Sequence, residues 1–408
     1  MKKNGKKKAK VQKRSSLSAL PKEIKIDKYT VIVLAVSLVV FVAVVLWIYS
    51  EDIFHGENEI FNPYGNEVVD FEKAKVLAIP KEEITIDEIA DNAHTGSQEL
   101  SVIVKSGRYK GEYMTAYNYF GPYYGVPVAV GDGVTLTIKT HSDGSTYASV
   151  YEFNRIPILA VYLLLFFLVV VIVGGLTGLK SMIGLAFTFL CLFVILIPLL
   201  LKGAPTIFTT FVTCAYIALV SFTILGGVHR KTVSAFLGTV AGTLLAMIFA
   251  LAVQRIAKID GLRLEDSEPL LQMKYIGAVV KVRGLLVAGI IISALGAVMD
   301  VAMSISSSLE EVHAANPSLT RDDLFRSGMN IGRDMVGTMT NTLILAFLGS
   351  EFTLMIFMYA RDLTFYHMFS TAFIALETIS AVSASIGMVL AIPLTALISA
   401  TLIRGGKN

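Results

Sequence analysis

The residue in this chain most able to do chemistry where chemistry is costly is Asp300. It sits in "SALGAVMDVAMSISSSLEE", residues 293–311, a run otherwise suited to lipid in which acids return only at Glu310 and Glu311. A charged group near the middle of a bilayer costs on the order of 2.5–3.5 kcal/mol on insertion scales, so an aspartate persists there only if it is neutralised, paired or hydrated. Helical spacing indicates how. Asp300, Ser304, Ser307 or Ser308, and Glu311 fall on one stripe, and the small residues Gly289, Ser293 and Gly296 before it let another helix come close. The expected neighbour is "SGMNIGRDMVGTMTNTLILAFLG", in which Arg333 and Asp334 are followed by Thr338, Asn341 and Thr342 on the face below Asp334. Two antiparallel helices joined by the intervening loop are expected to bring these polar stripes together at similar depth. The functional reading is a proton- or ion-responsive site built from Asp300, Ser304, Arg333, Asp334, Thr338, Asn341 and Thr342. The structural alternative is polar glue, with a protonated Asp300 hydrogen-bonded to Asn341 or Thr338.

Signatures of catalysis are missing. His55, His94, His141, His229, His313 and His367 never fall four residues apart, and the sequence has no HExxH, Gly-x-Ser-x-Gly or Walker-type loop. Cys191 and Cys214 both lie inside apolar blocks, which leaves no disulfide framework and no Cys-based zinc site. The expectation is a non-enzyme without cofactor or metal. With no nucleotide site, any transport must draw on an ion gradient or on a partner subunit. Weaker features read as structure first: Gly238 and Gly242 as a helix-packing face, Pro198 and Pro393 as tolerated kinks, and Glu377 as an interfacial carboxylate that reaches water, with a second titrating site as its alternative. The aromatic loop "YNYFGPYYG", residues 117–125, has a barrel-packing reading beside a ligand- or headgroup-binding one.

The elements that must position these residues are set by hydropathy. With 54% hydrophobic residues, a mean hydropathy of +0.66 and apolar residues in long blocks, the chain reads as a polytopic membrane protein. The head "MKKNGKKKAKVQKR" carries much of the +3 net charge and is assigned to an anionic leaflet rather than to nucleic acid. Residues 30–50 form a block long enough to span and lack a small-x-small cleavage site, so they read as a retained anchor. Further apolar blocks lie at 157–175, 181–201, 206–227, 232–254, 284–305, 335–359 and 381–403, and 364–380 reads as an interfacial helix. The expected fold class is therefore an α-helical polytopic membrane protein of about eight transmembrane helices with a small extracytoplasmic β-rich domain. Its expected divisions are a basic tail over 1–28, an anchor over 29–50, the β-rich domain over 51–155 and a multi-helix membrane domain over 156–404. Within the β-rich part, "GDGVTLTIKT" followed by "HSDGSTY" predicts strand, Asp-Gly turn and strand. A second hairpin is predicted to turn at Ser106 and Gly107, and "EEITIDEIADNA" admits one short helix. With the head cytoplasmic, alternation puts most basic turns inside. The segment with Arg255, Lys258, Arg263, Lys274, Lys281 and Arg283 falls outside, against the rule.

Four stretches, "GAVMDVAMSISSSLEE", "SGMNIGRDMVGTMTNTLILAFLGS", "SIGMVLAIPLTALISA" and "IPLLLKGAP", resemble the YibE/F family of bacterial membrane proteins. The anchor and outside domain look like the YibE-type member. The resemblance implies a bacterial plasma-membrane location, a YibF-type membrane subunit or a second copy as partner beside the lipid bilayer, and no assigned substrate. A remoter likeness is to SecF and RND permease halves, in which an Asp of the corresponding helix carries protons; this chain departs in having extra spans and in lacking the Asp-Arg pair after the motif. The function expected from residues and resemblance together is ion- or proton-coupled transport or export. The alternative is a non-transporting sensor or assembly subunit whose outside domain binds a ligand.

Overall fold

The computed structural model describes residues 27–50, 68–141, 144–264, 267–275, 279–361 and 363–404. The basic head and residues 51–67 lie outside the described residues, as do Ser142 and Asp143 of the predicted turn. Two compact units emerge, one containing the β-strands and ending at Gly175, the other containing the N-terminal helix and everything from Leu176 onward.

The strands are β1 (Val68–Asp87), β2 (Ala93–Val104), β3 (Tyr113–Phe120), β4 (Gly133–Thr140) and β5 (Thr146–Phe153). They close into a barrel in the order β1-β2-β3-β5-β4, antiparallel except for β3 beside β5, the arrangement of an OB-type Greek-key barrel. Closure depends on β1, which pairs with β4 through Val68–Lys75 and with β2 from Ala74 onward. Its register slips between Val76 and Lys81, where Pro80 has no N–H to offer the ladder and the strand can bend. Alternating residues fill the interior, among them Val76, Leu100, Val102, Ala116, Leu136 and Ile138. Buried polar groups tie the loops to this core. The Gln98 Nε2 donates to the Val128 carbonyl at 2.9 Å and its Oε1 accepts from the Val128 N–H and from Asn118 Nδ2, both at 2.9 Å. The buried Glu72 accepts from the Ser106 hydroxyl at 2.7 Å and the Arg108 N–H at 3.0 Å. Both predicted hairpins are present, the second turning at Ser106 and at Gly107, whose φ of 64° suits glycine. The short helix admitted over "EEITIDEIADNA" is instead the end of β1 and a turn, because Ile84 and Ile86 pair with Gly96 and His94.

The helices are α1 (Lys28–Ser50), α2 (Ile156–Leu190), continued by a π-helical turn into α3 (Ile197–Leu201), then α4 (Thr206–Gly226), α5 (Arg230–Ala257), short α6 (Ser267–Tyr275), α7 (Leu285–Ala315), α8 (Arg321–Ser350), α9 (Phe352–Ala360), α10 (Phe365–Ser370) and α11 (Ala372–Arg404). The helical core is the trio α5, α7 and α11, with α4 and α8 on its flanks. Small residues let α5 and α11 run antiparallel in close contact: Gly238 faces Thr395, Gly242 faces Ala391, and Ala246 faces Gly387. A Cβ on Gly242 would stand 2.6 Å from the Ala391 Cβ and 2.8 Å from Val298 Cγ1. The packing role read for Gly238 and Gly242 is what the structure shows.

Contacts sort the helix ends into two sides. At one, the Val228 N–H donates to Thr30 Oγ1 at 3.0 Å, Arg230 donates to the Ile403 carbonyl at 3.0 Å, and Lys231 pairs with Glu310 at 3.3 Å. At the other, Lys202 Nζ donates to the Ile48 carbonyl at 2.7 Å and Thr206 Oγ1 to the Lys281 carbonyl at 3.0 Å. The basic segment between α5 and α7 therefore shares a side with the C-terminal end of α1, as alternation placed it.

The expected fold class is corrected in its helix count. Among the described residues six helices, not about eight, are long and apolar enough to cross a membrane, or seven if the bent pair α8 and α9 makes one span. The expected β-rich domain is, more narrowly, a closed five-stranded barrel, so the chain joins a helical part to a true β-fold. The count falls because 157–175 and 181–201 are counted within one stretch, Ile156–Leu201, which joins two helices across a kink at Gly175 (φ 56°, ψ −137°). Residues 372–380 likewise are not an interfacial helix but open α11. Six such helices make this a membrane protein.

Two outcomes test this packing. Replacing Gly242 by Leu is expected to lower stability by about 1–3 kcal/mol or more through overpacking, read as an earlier thermal transition of the detergent-solubilised protein. Gln98→Leu leaves the Val128 carbonyl and N–H and the Asn118 amide short of a partner, and is expected to cost about 1–3 kcal/mol for each group left unsatisfied, read by the barrel's near-ultraviolet dichroism on heating.

Candidate functional site

The residues that pack α7 are Val298, Ala302, Ile305, Ser306 and Leu309, all buried. Their opposite face carries Gly289, Gly296, Asp300, Ser304 and Glu311, all exposed on this chain, and no atom stands near a Cβ placed on Gly289 or Gly296. Asp300 is midway along the helix. On α8 the buried positions are Leu324, Gly328 and Gly332, and a Cβ on Gly328 would lie 2.8 Å from that of Ala396 on α11. Arg333, Asp334, Thr338, Asn341 and Thr342 are exposed. The two polar stripes are not joined as expected. The Thr338 hydroxyl donates to the Met335 carbonyl at 3.1 Å and that of Thr342 to the Thr338 carbonyl at 2.8 Å, both within their own helix. Among the described residues no hydrogen bond or ion pair links Asp300 to either of them or to Asn341. The reason is that the glycines of α8 seat it on α11, and the buried face of α7 is hydrogen-bonded to α11 through Ser306 and Ser399, at 3.0 Å.

A different pair of carboxylates does meet. Helix α8 stops at Ser350, and α9 leaves at 60° to it, with Glu351 as the corner residue. The corner is held by the Glu351 N–H donating to the Phe347 carbonyl at 3.4 Å and the Met355 N–H donating to the Glu351 carbonyl at 3.0 Å. A short return through α10, capped by Thr364, whose hydroxyl and the His367 Nδ1 are 2.7 Å apart, leads into α11. These pieces enclose a cavity of about 510 Å³ whose walls include Phe347, Met355, Phe369 and Val382, with Glu351 and Glu377 both facing it. Both acids are half-buried, and no Lys or Arg lines the cavity. Neither has an ion-pair partner among the described residues, and Arg361 lies over the Phe357 ring, 5.2 Å from its centroid.

Two acidic residues lining one apolar space, with no Lys or Arg in its wall, form a place for a positive charge: a proton, a metal cation or an organic cation. Among the described residues no three His, Cys, Asp or Glu side chains gather to hold a metal. Sequence reasoning gives Glu377 an interfacial role and does not single out Glu351. The signal for Glu351 is nevertheless the one that marks Asp300, an acid inside an apolar block; what no stripe or spacing reveals is that the chain turns a corner there and brings Glu377 back to it.

In comparison with known proteins, residues 162–405 match the family model described as YibE/F-like protein. No curated protein and no solved structure matches the chain.

Because Asp300 is exposed on this chain and has no hydrogen-bond or ion-pair partner among the described residues, Asp300→Leu is expected to leave the thermal stability of the purified single chain within about 0.5 kcal/mol of wild type. A loss above about 2 kcal/mol would reveal a buried polar partner instead.

Proposed function

The chain belongs to the YibE/F family, and from that premise we propose that it acts in cation-coupled, most simply proton-coupled, transport or export across the bacterial plasma membrane. The observation that carries this reading is the meeting of Glu351 and Glu377 across one apolar cavity at the corner between α8 and α9. Broken helices with polar groups at the break are a recurrent way of building ion sites at membrane depth, because irregular backbone is tolerated only where protein or a cavity surrounds it. In this proposal the coupling cation occupies the cavity, Glu351 and Glu377 take up and release it, and the angle between α8 and α9 responds to its presence. Asp300, with Ser304 beside it and Arg333, Asp334, Thr338, Asn341 and Thr342 on α8, is a second titrating region that a further membrane helix, from a companion subunit or another copy, would have to cover. The orientation proposed is multi-pass with the Lys-rich head in the cytoplasm.

A second reading, a sensor or assembly subunit, is favoured by the barrel surface. Tyr117 and Tyr147 stack with centroids 5.7 Å apart, Tyr151 meets Phe71 edge-on at 5.1 Å, and all four rings are exposed. Such a platform suits a ligand or a partner protein.

Reconstituted liposomes carrying a pH-sensitive dye separate these readings. Glu351→Gln and Glu377→Gln are each expected to slow proton movement by about tenfold or more, equivalent to ~1.4 kcal/mol, while the exposed Glu268→Gln on α6 leaves it unchanged. Loss in Asp300→Asn alone, with both glutamate variants active, would move the site to α7. Wild-type protein that moves no protons or other cations would favour the sensor.

A further inference from the structure

A second cavity in the helical unit is larger than the acidic one. It lies at the end of the bundle where α4 and α7 begin and α5 finishes, and its volume is about 1050 Å³. Its floor is apolar, formed by Phe208, Phe211, Met247 and Leu271. Its rim carries Lys274, Lys281 and Arg283, and among the described residues no carboxylate lines it. We propose that this cavity binds an anionic phospholipid, with the headgroup phosphate among the three cations and an acyl chain over the phenylalanines.

The charge balance selects the headgroup. Arg283 is partly compensated, since its Nε lies 3.4 Å from Asp260 Oδ2, but Lys274 and Lys281 have no ion-pair partner among the described residues. Glu268 shares helix α6 with Lys274 but is not in the cavity wall. Two backbone features add to the same field. Pro205 precedes α4 and Gly284 precedes α7; both line the cavity, and neither helix has a side-chain cap, so the positive ends of two long helices open beside the cations. The floor selects the chain. Phe208 is 68% exposed in the first turn of α4, where the Thr206 hydroxyl donates to the Lys281 carbonyl, a juxtaposition that suits an amphiphile and fits neither a free anion nor an uncharged oil. The volume exceeds what inorganic phosphate needs and is in the upper range of small-ligand sites. Juxtamembrane lysines near an anionic headgroup contribute on the order of 1 kcal/mol each to such binding.

This assignment also accounts for the side on which these basic residues lie. Arg283 and the lysines share the end of the bundle that carries Ile48 and Lys202, away from the end where Lys231 and Arg230 gather. Their positive charge there serves a site and not the orientation of the chain.

The test uses the full chain, delipidated in neutral detergent, and native mass spectrometry with short-chain phosphatidylglycerol, short-chain phosphatidylcholine and inorganic phosphate as probes. Phosphatidylglycerol is expected to bind at least about tenfold tighter than phosphatidylcholine, with inorganic phosphate unable to displace it at equal concentration. The double variant Lys274→Gln/Lys281→Gln should weaken phosphatidylglycerol binding roughly thirtyfold without shifting the lipid-free melting temperature. Phe208→Ser should weaken both phospholipids alike, since it removes chain contact and no charge. Equal affinity for the two phospholipids, undiminished binding by the lysine double variant, or displacement by inorganic phosphate would each overturn the proposal.

Discussion

Two glycines on one helix facing a glycine and an alanine on another fix almost everything in the helical unit. With Gly238 and Gly242 of α5 against Thr395, Ala391 and Gly387 of α11, the backbones approach closely enough for the Gly387 carbonyl to lie 3.1 Å from a Cβ placed on Gly242. Lipid offers no hydrophobic reward for helix association, so dispersion across such a seam is what holds membrane helices in register. From that register the rest follows. Helix α7 fills the groove beside the seam through Val298, Ala302 and Ile305 and adds the Ser306–Ser399 hydrogen bond. Helix α8 repeats the device on the adjoining face of α11, where Gly328 meets Ala396 and Gly332 meets Ile392. Only then is the far end of α8 carried to the start of α11, where Glu351 and Glu377 come to face one another.

The barrel solves the opposite problem. Its interior is apolar, yet the loop from Gly121 to Asp132 has no helix to satisfy its backbone, and the side chains of Gln98 and Asn118 do so from inside, one amide serving both the Val128 N–H and its carbonyl. The long β1 with its slip near Pro80 supplies the bend that closure needs, and the outward positions are thereby free to carry aromatic rings. The helical unit is held by the absence of side chains and the barrel by polar side chains turned inward, and each is the economical answer in its own solvent.

Much of this was legible in the residues. Alternation in "GDGVTLTIKT" gave β4, the Ser106-Gly107 pair gave a turn, and small residues at 238 and 242 gave a packing face, because each of these signals is local. The helix count was only partly legible: the glycines mark the kink at Gly175 that divides Ile156–Leu201, but the block 335–359 does not disclose that it bends by 60°. The start of α8 was hidden by its charges: Arg321 to Asp334 looks like a loop by hydropathy, although Thr320 and Asp323 form a capping box that marks a helix start. For the site, spacing correctly grouped Asp300 with Ser304 on one face. A stripe specifies which residues travel together and is silent on what stands opposite, which is why Ser306, one position off the stripe's line, makes the contact with α11 and Asp300 does not. The acid pair was illegible for the same reason, being joined only by the fold.

The corner residue Glu351 is at once the last link of one helix and the carboxylate of the cavity. Glutamate is a good helix former, so the bend is not a property of that side chain, and a glutamine there removes the charge while leaving the joint to its neighbours. Sequence comparison within the family could therefore follow the two properties separately, the acid at 351 and the joint at the Gly349-Ser350 step before it.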